Sequence, residues 1–147
     1  MRRLHITYFL IMIMMVFMAL SCSERNYVDY QLTLLSEVKN GFIDRYDTVV
    51  IIPRIGCNAC THDADIFFKQ HKDDPRTYFV FTNLQSKKLL KIENGFDLDK
   101  RDNVFIDENN KHYSYDYDES NYPILLIKQP DNSYRQEYLL DDDILIQ

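Results

Sequence analysis

Two cysteines separated by two residues are the group in this chain best suited to chemistry. They enclose Asn58 and Ala59 in the segment Cys57-Asn58-Ala59-Cys60. A thiolate can attack a disulfide sulfur, and a second thiol close by can then attack the mixed disulfide that forms. The spacing therefore predicts a thiol–disulfide exchange pair in which Cys57 is the nucleophile and Cys60 resolves the intermediate.

The elements around this pair are predicted to place it at the start of a helix. Residues 49–52 form an apolar, β-branched run closed by Pro53, which is typical of a strand buried on both faces. From Cys60 to His71, apolar residues recur at helical spacing. Because unpaired N–H groups and the helix dipole stabilise a thiolate at a helix start, this context favours a reactive Cys57.

Charged residues of both signs lie near the pair. Arg54 and His62 would lower the pKa of the Cys57 thiol, whereas Asp63 and Asp65 would raise it. The sequence leaves the net sign of this effect open.

The rest of the chain alternates between helical and strand patterns. We predict an amphipathic helix over residues 27–43 that ends near Gly41, a strand over 77–82, a short helix over 84–94, a third apolar run over 104–106, and a hairpin formed by 124–127 and 134–140. This order predicts an α/β fold, in which a mixed sheet is flanked by helices on both faces and ends in a C-terminal β-hairpin.

A polar segment rich in tyrosine, residues 107–122, interrupts this alternation. Tyrosine provides a large contact area at low entropic cost, so the segment could bind a protein partner. A solvated surface loop is the alternative interpretation. His112, which lies in this segment, is expected to be solvated.

The segment from residue 47 to residue 140 resembles the thioredoxin-like superfamily, in particular its envelope thiol–disulfide oxidoreductases. The shared features are a strand leading into Cys-x-x-Cys at a helix start, a following strand and helix, and a proline opening the hairpin strand. The resemblance implies that Pro123 follows a cis peptide bond and faces the cysteines, and that Tyr122 and Pro123 contact substrate. It also implies protein thiols or disulfides as partners and no cofactor.

The N-terminus has the layout of a secretory signal. Arg2 and Arg3 precede an apolar run over residues 8–20, which is shorter than the roughly 20 residues that span a bilayer. Ser21 and Cys22 follow in a segment that resembles a bacterial lipobox, which implies that Cys22 is acylated and becomes the first mature residue. A retained membrane anchor and ordinary secretory cleavage remain alternatives.

These signals divide the chain into a lipoprotein signal peptide (1–21), a lipid tether with the N-terminal helix (22–46), and a thioredoxin-like domain (47–147). The predicted location is the bacterial cell envelope, where disulfides persist, with a lipid anchor and the domain facing the periplasm. The formal net charge is −6, and removal of the signal peptide makes the chain more acidic. Nucleic-acid binding is excluded, because no basic surface neutralises phosphates.

Other uses of the cysteine pair stay open. The pair could be a structural disulfide without turnover, or the chain could be a non-catalytic thioredoxin-fold lipoprotein that binds a partner protein. It could also handle copper or zinc through Cys57 and Cys60 with His62 or His71. A closed zinc site needs four ligands, whereas copper(I) accepts fewer soft ones. Our prediction is a redox pair without a metal.

Overall fold

Helices and strands alternate along most of the chain. The computed structural model describes residues 26–38, 41–55, 58–95 and 97–139. Its elements in chain order are α1 (Tyr27–Val38), α2 (Phe42–Arg45), β1 (Thr48–Pro53), α3 (Asn58–His71), β2 (Thr77–Thr82), α4 (Lys87–Asn94), β3 (Val104–Ile106), β4 (Ile124–Lys128) and β5 (Tyr134–Tyr138), with 3-10 turns at Leu98–Lys100 and Asp118–Asn121.

The strands form one five-stranded mixed sheet in the order β3-β2-β1-β4-β5. β1 pairs in parallel with β2, and β2 with β3, whereas β4 is antiparallel to both β1 and β5. Ile51 of β1 pairs with Ile124, so β4 begins beside the C-terminal end of β1. The predicted α/β class, mixed sheet and C-terminal hairpin are confirmed.

The sheet is covered on both faces, as predicted from its apolar strands. Side chains alternate along β1, so Val49 and Ile51 pack in one core cluster with α1. Val50 and Ile52 pack in a second cluster that contains residues of α3 and α4. The central strand is therefore buried between two layers of helices.

Helix α1 is described from Tyr27 to Val38, and residues 39 and 40 lie outside the described residues. Leu35 is fully buried against the sheet, whereas Val38 is 44% exposed. Gly41 has a φ of +73°, in the left-handed region that favours glycine, and α2 begins at the next residue. The structure thus agrees with a helix that ends near Gly41, whereas residues 42 and 43 of the predicted range belong to the separate helix α2.

Helix α4 begins later than the predicted range 84–94, because Ser86 caps it. The Ser86 hydroxyl accepts a hydrogen bond from the backbone N–H of Leu89 at 3.3 Å. Among the apolar residues that predicted this helix, Leu90 packs in the core, whereas Leu89 and Ile92 are exposed.

The segment between β3 and β4, residues 107–123, packs against α1. The Tyr30 hydroxyl donates a hydrogen bond to the carbonyl oxygen of Lys111 at 2.5 Å. The ring of Tyr117 lies 5.3 Å from that of Tyr27 and 5.4 Å from that of Tyr30. Tyr117 of this segment therefore helps to hold it on the face of the sheet that α1 covers.

His112 is 1% exposed, so the expectation that it is solvated is wrong. Its Nδ1 lies 2.8 Å from Oε1 of Gln31, whose Nε2 donates to the His112 carbonyl oxygen at 2.8 Å. The His112 N–H donates to Oδ2 of Asp107, which also accepts from the Thr82 hydroxyl. These polar groups form hydrogen bonds with one another, which allows them to be buried together.

Candidate functional site

The C-terminal ends of β1, β2 and β3 share one edge of the sheet. The backbone N–H of Arg54 donates to the carbonyl oxygen of Thr82 at 2.9 Å, and that of Asp107 donates to the carbonyl oxygen of Phe81 at 2.8 Å. In open α/β sheets, ligands bind outside the carboxyl ends of the strands. Cys60 lies in the first turn of α3, the helix that follows β1 in the chain.

Cys60 is nearly buried at the start of α3. Its side chain is 5% exposed, and its sulfur is disulfide-bonded. The structure confirms the helix predicted to follow the motif. Cys57, the predicted nucleophile, also lies outside the described residues.

Arg54 joins the end of β1 to two helices. Its Nη1 donates to Oδ1 of Asp65 on α3 at 2.5 Å, and its Nη2 donates to Oε2 of Glu93 on α4 at 2.5 Å. We call these three residues the Arg54 cluster. Two carboxylates surround one guanidinium, so the cluster has a formal net charge of −1 and Arg54 is a weak source of positive potential for the cysteine motif.

A cavity of about 260 Å³ separates α3 from α4 next to the Arg54 cluster. Thr61 and His62 line it from α3, and Ser86 and Leu89 line it from the other side. Because Thr61 and His62 directly follow Cys60 in the chain, the cavity lies beside the first turn of α3.

Pro123 lies at the same sheet edge, on the other side of β1. It is buried, it directly precedes Ile124, and its carbonyl oxygen accepts a hydrogen bond from the N–H of Leu139 at 3.0 Å. The described residues contain no cis peptide bond, so the bond before Pro123 is trans. The cis bond implied by the resemblance is therefore wrong for this chain.

Tyr122 is partly exposed just before Pro123. Its ring contacts that of Tyr138 edge to face, with 5.9 Å between the ring centroids. The predicted substrate-contact residues thus lie beside the C-terminal end of β1, from which the chain continues toward the cysteine motif.

The histidines considered as metal ligands lie apart from one another. His71 follows Cys60 by eleven residues on one helix, which corresponds to about 16 Å along the helix axis. Its ring instead stacks on Phe67, with centroids 4.2 Å apart. His71 therefore cannot share an ion with Cys60. No group of three or more His, Cys, Asp or Glu side chains placed to hold a metal occurs in the described part of the chain.

Sequence reasoning did not find the pairing within the Arg54 cluster. The sequence indicates Asp65 only through its charge near Cys57, and it gives no reason to select Glu93. Arg54 and Glu93 are 39 positions apart, and their contact depends on how α4 packs beside α3. No local pattern in the sequence signals such a contact.

Comparisons with known protein families, with curated proteins and with solved structures found no match. Within the ranges that the structure describes, no helix has the length and apolar character needed to cross a membrane. The predicted signal peptide and Cys22 lie outside those ranges.

Proposed function

We propose that this chain is a thioredoxin-like thiol–disulfide oxidoreductase or electron carrier of the bacterial envelope. The observation that carries the proposal is the disulfide-bonded Cys60 in the first turn of α3, the helix that follows the central strand β1 in the chain. In this proposal, Cys57 is the disulfide partner of Cys60. A thiolate on Cys57 would be stabilised by the helix N-terminus.

The reaction is a two-electron exchange between disulfides. The Cys57 thiolate attacks one sulfur of a substrate disulfide, which forms a mixed disulfide and releases one substrate thiolate. The Cys60 thiolate then attacks the Cys57 sulfur and releases the second substrate thiolate. The substrate is reduced to two thiols, and the Cys57–Cys60 disulfide holds the oxidised state. The reverse sequence oxidises a substrate dithiol.

The sheet topology supports a substrate cleft at this edge. Because β4 is antiparallel to β1, it brings Tyr122 and Pro123 to the end of β1 that precedes the cysteines. In the proposal, buried Pro123 gives the cleft a rigid wall, and exposed Tyr122 contacts the substrate polypeptide. The partners are proteins that carry accessible thiols or disulfides.

The proposed location follows from the N-terminal sequence. Acylation of Cys22 after removal of residues 1–21 would anchor the domain to a bacterial membrane, facing the periplasm. The net charge of −6 disfavours binding of the domain itself to an anionic lipid surface. The lipid would therefore supply the membrane contact.

A trapping experiment tests the proposed activity. In the full chain, Cys60→Ala should accumulate mixed disulfides between Cys57 and envelope proteins, because the resolving thiol is missing. These adducts are detected on non-reducing gels and identified by mass spectrometry. The matched control, with Cys57 and Cys60 both changed to Ala, should form none. The proposal is contradicted if no adducts form and the wild-type disulfide has a reduction potential below about −300 mV, because such a disulfide is structural.

A binding module is the second candidate function. Tyr115 is 93% exposed and contacts Tyr113 edge to face, so the tyrosine-rich segment presents aromatic surface to solvent. Under this function, Tyr115→Ala would abolish capture of a partner, whereas replacement of both cysteines would not. If the chain is the proposed oxidoreductase, replacement of both cysteines would abolish capture of a partner, whereas Tyr115→Ala would not.

A further inference from the structure

The Arg54 cluster closes the stretch of chain that contains both cysteines. Arg54 and Asp65 are eleven positions apart, and residues 55–64 between them include Cys57 and Cys60. The side chains of Arg54 and Asp65 are 9% and 16% exposed, so solvent screens their interaction less than that of a surface pair. The two ends of this segment are therefore held together by a largely buried ion pair.

Arg54 is itself fixed from three directions. Its guanidinium binds Asp65 and Glu93 through separate nitrogens, and its backbone N–H binds the carbonyl oxygen of Thr82. A planar guanidinium with several donors can hold two carboxylates at once, which a lysine ammonium on a flexible stem does less well. The segment thus begins at a residue anchored to β2, α3 and α4.

We propose that Arg54 is a positioning residue for the Cys57–Cys60 pair. By closing residues 55–64, it keeps the two sulfur atoms within bonding range and raises the effective concentration of one thiol at the other. Loosening this segment would make the disulfide easier to reduce. The role is mechanical, because the carboxylates of Asp65 and Glu93 offset the positive charge of Arg54. The inference rests on the proposed function.

The substitution Arg54→Lys separates this role from an effect of charge, because it keeps the positive charge and loses the fork of donors. The full chain, purified in detergent, is equilibrated with dithiothreitol buffers, and free thiols are counted. We expect the disulfide to be reduced about tenfold more easily, which corresponds to a potential about 30 mV less negative. The pKa of the Cys57 thiol, measured from the pH dependence of alkylation, should stay unchanged.

Arg76→Lys is the matched control. Arg76 also forms a two-donor pair, with Asp47, but at the opposite end of β1. It should leave the potential of the pair unchanged. A second test variant, Asp65→Glu, keeps both charges and changes the length of the acid, and it should shift the potential in the same direction as Arg54→Lys. Thermal unfolding shows whether each variant is folded.

Two outcomes would overturn the inference while leaving the proposed function intact. One is an unchanged potential in both folded variants. The other is a shift of potential accompanied by a matching shift of the Cys57 pKa, which would mean that Arg54 acts through its charge. A wild-type protein without a reversible couple would instead overturn the proposed function, and this inference with it.

Discussion

Nδ1 of His112 lies 2.8 Å from the side-chain oxygen of Gln31, although the two residues are 81 positions apart. This contact fastens the segment between β3 and β4 to α1. The amide of Gln31 also donates to the His112 carbonyl oxygen, so the two residues exchange two contacts in a buried environment. The α1 helix and the β3–β4 segment are therefore expected to unfold together.

Acidification should destabilise the fold through His112. Burial lowers the pKa of its imidazole in the folded protein to about 4, below the ordinary value of 6.5. The unfolded chain therefore takes up a proton that the folded protein resists. The free energy of unfolding therefore falls as the pH is lowered from 6.5 toward 4, and we expect His112 to account for a loss of about 3 kcal/mol. Urea unfolding between pH 7 and pH 4 measures it.

The variant His112→Gln tests this assignment. Its free energy of unfolding should fall less steeply between pH 6.5 and pH 4 than that of the wild type, whatever its stability at pH 7. The control Ser36→Ala changes an exposed, non-titrating hydroxyl on α1 and should retain the wild-type slope. An unaltered slope in His112→Gln would show that another group is responsible.

Removal of the Gln31 side chain should cost more than removal of a polar group on the helix surface. Gln31→Ala leaves the carbonyl oxygen and Nδ1 of His112 without these partners, and we expect a loss of about 1–3 kcal/mol in the free energy of unfolding. Ser36→Ala removes an exposed hydroxyl from the same helix, and it should change stability by less than about 0.5 kcal/mol. Equal effects in urea titrations would contradict the buried contact.

Phe68 is expected to be the main point of attachment of α3 to the sheet. Its ring is fully buried and meets Phe79 and Phe81 edge to face, at centroid distances of 4.9 Å and 5.2 Å. Phe68→Ala should lower the free energy of unfolding by about 3–5 kcal/mol. The exposed Ile92→Ala on α4 should cost less than about 0.5 kcal/mol. Denaturant midpoints of the two variants check the difference.

Acylation of Cys22 can be tested by fractionation. The wild-type chain should be found with the membranes, whereas Cys22→Ala should be found in the soluble envelope fraction. Cys60→Ala is the control, because it removes a cysteine without touching the lipid site and should remain with the membranes. A Cys22→Ala protein that stays in the membrane fraction would favour a retained apolar anchor.

Strands were predicted well because burial on both faces leaves a local signature. The apolar run at residues 77–82 coincides with β2, and the run at 49–52 lies within β1. The hairpin was also predictable, because turn residues separate its two strands. Helix α4 was less predictable, since an eight-residue helix can turn only one narrow face to the sheet. Leu90 occupies that face, and Leu89 does not.

Contacts between distant segments account for what the sequence did not predict. His112 lies in a polar stretch that contains many charged residues, and nothing local indicates burial. Its environment is provided by Gln31 on α1 and by Asp107 at the end of β3. The partners of Arg54 likewise come from two helices. Such pairings arise only when the layers of the fold are assembled.

The burial of Tyr27 at the first position of α1 limits how far the domain could travel from a membrane. Among the described residues, Tyr27 is the first that packs in the core, and it lies five positions after Cys22. A fully extended chain covers at most about 3.6 Å per residue, so a lipid on Cys22 would keep the core within about 18 Å of its attachment point. A protein partner would then have to present its disulfide close to the bilayer surface.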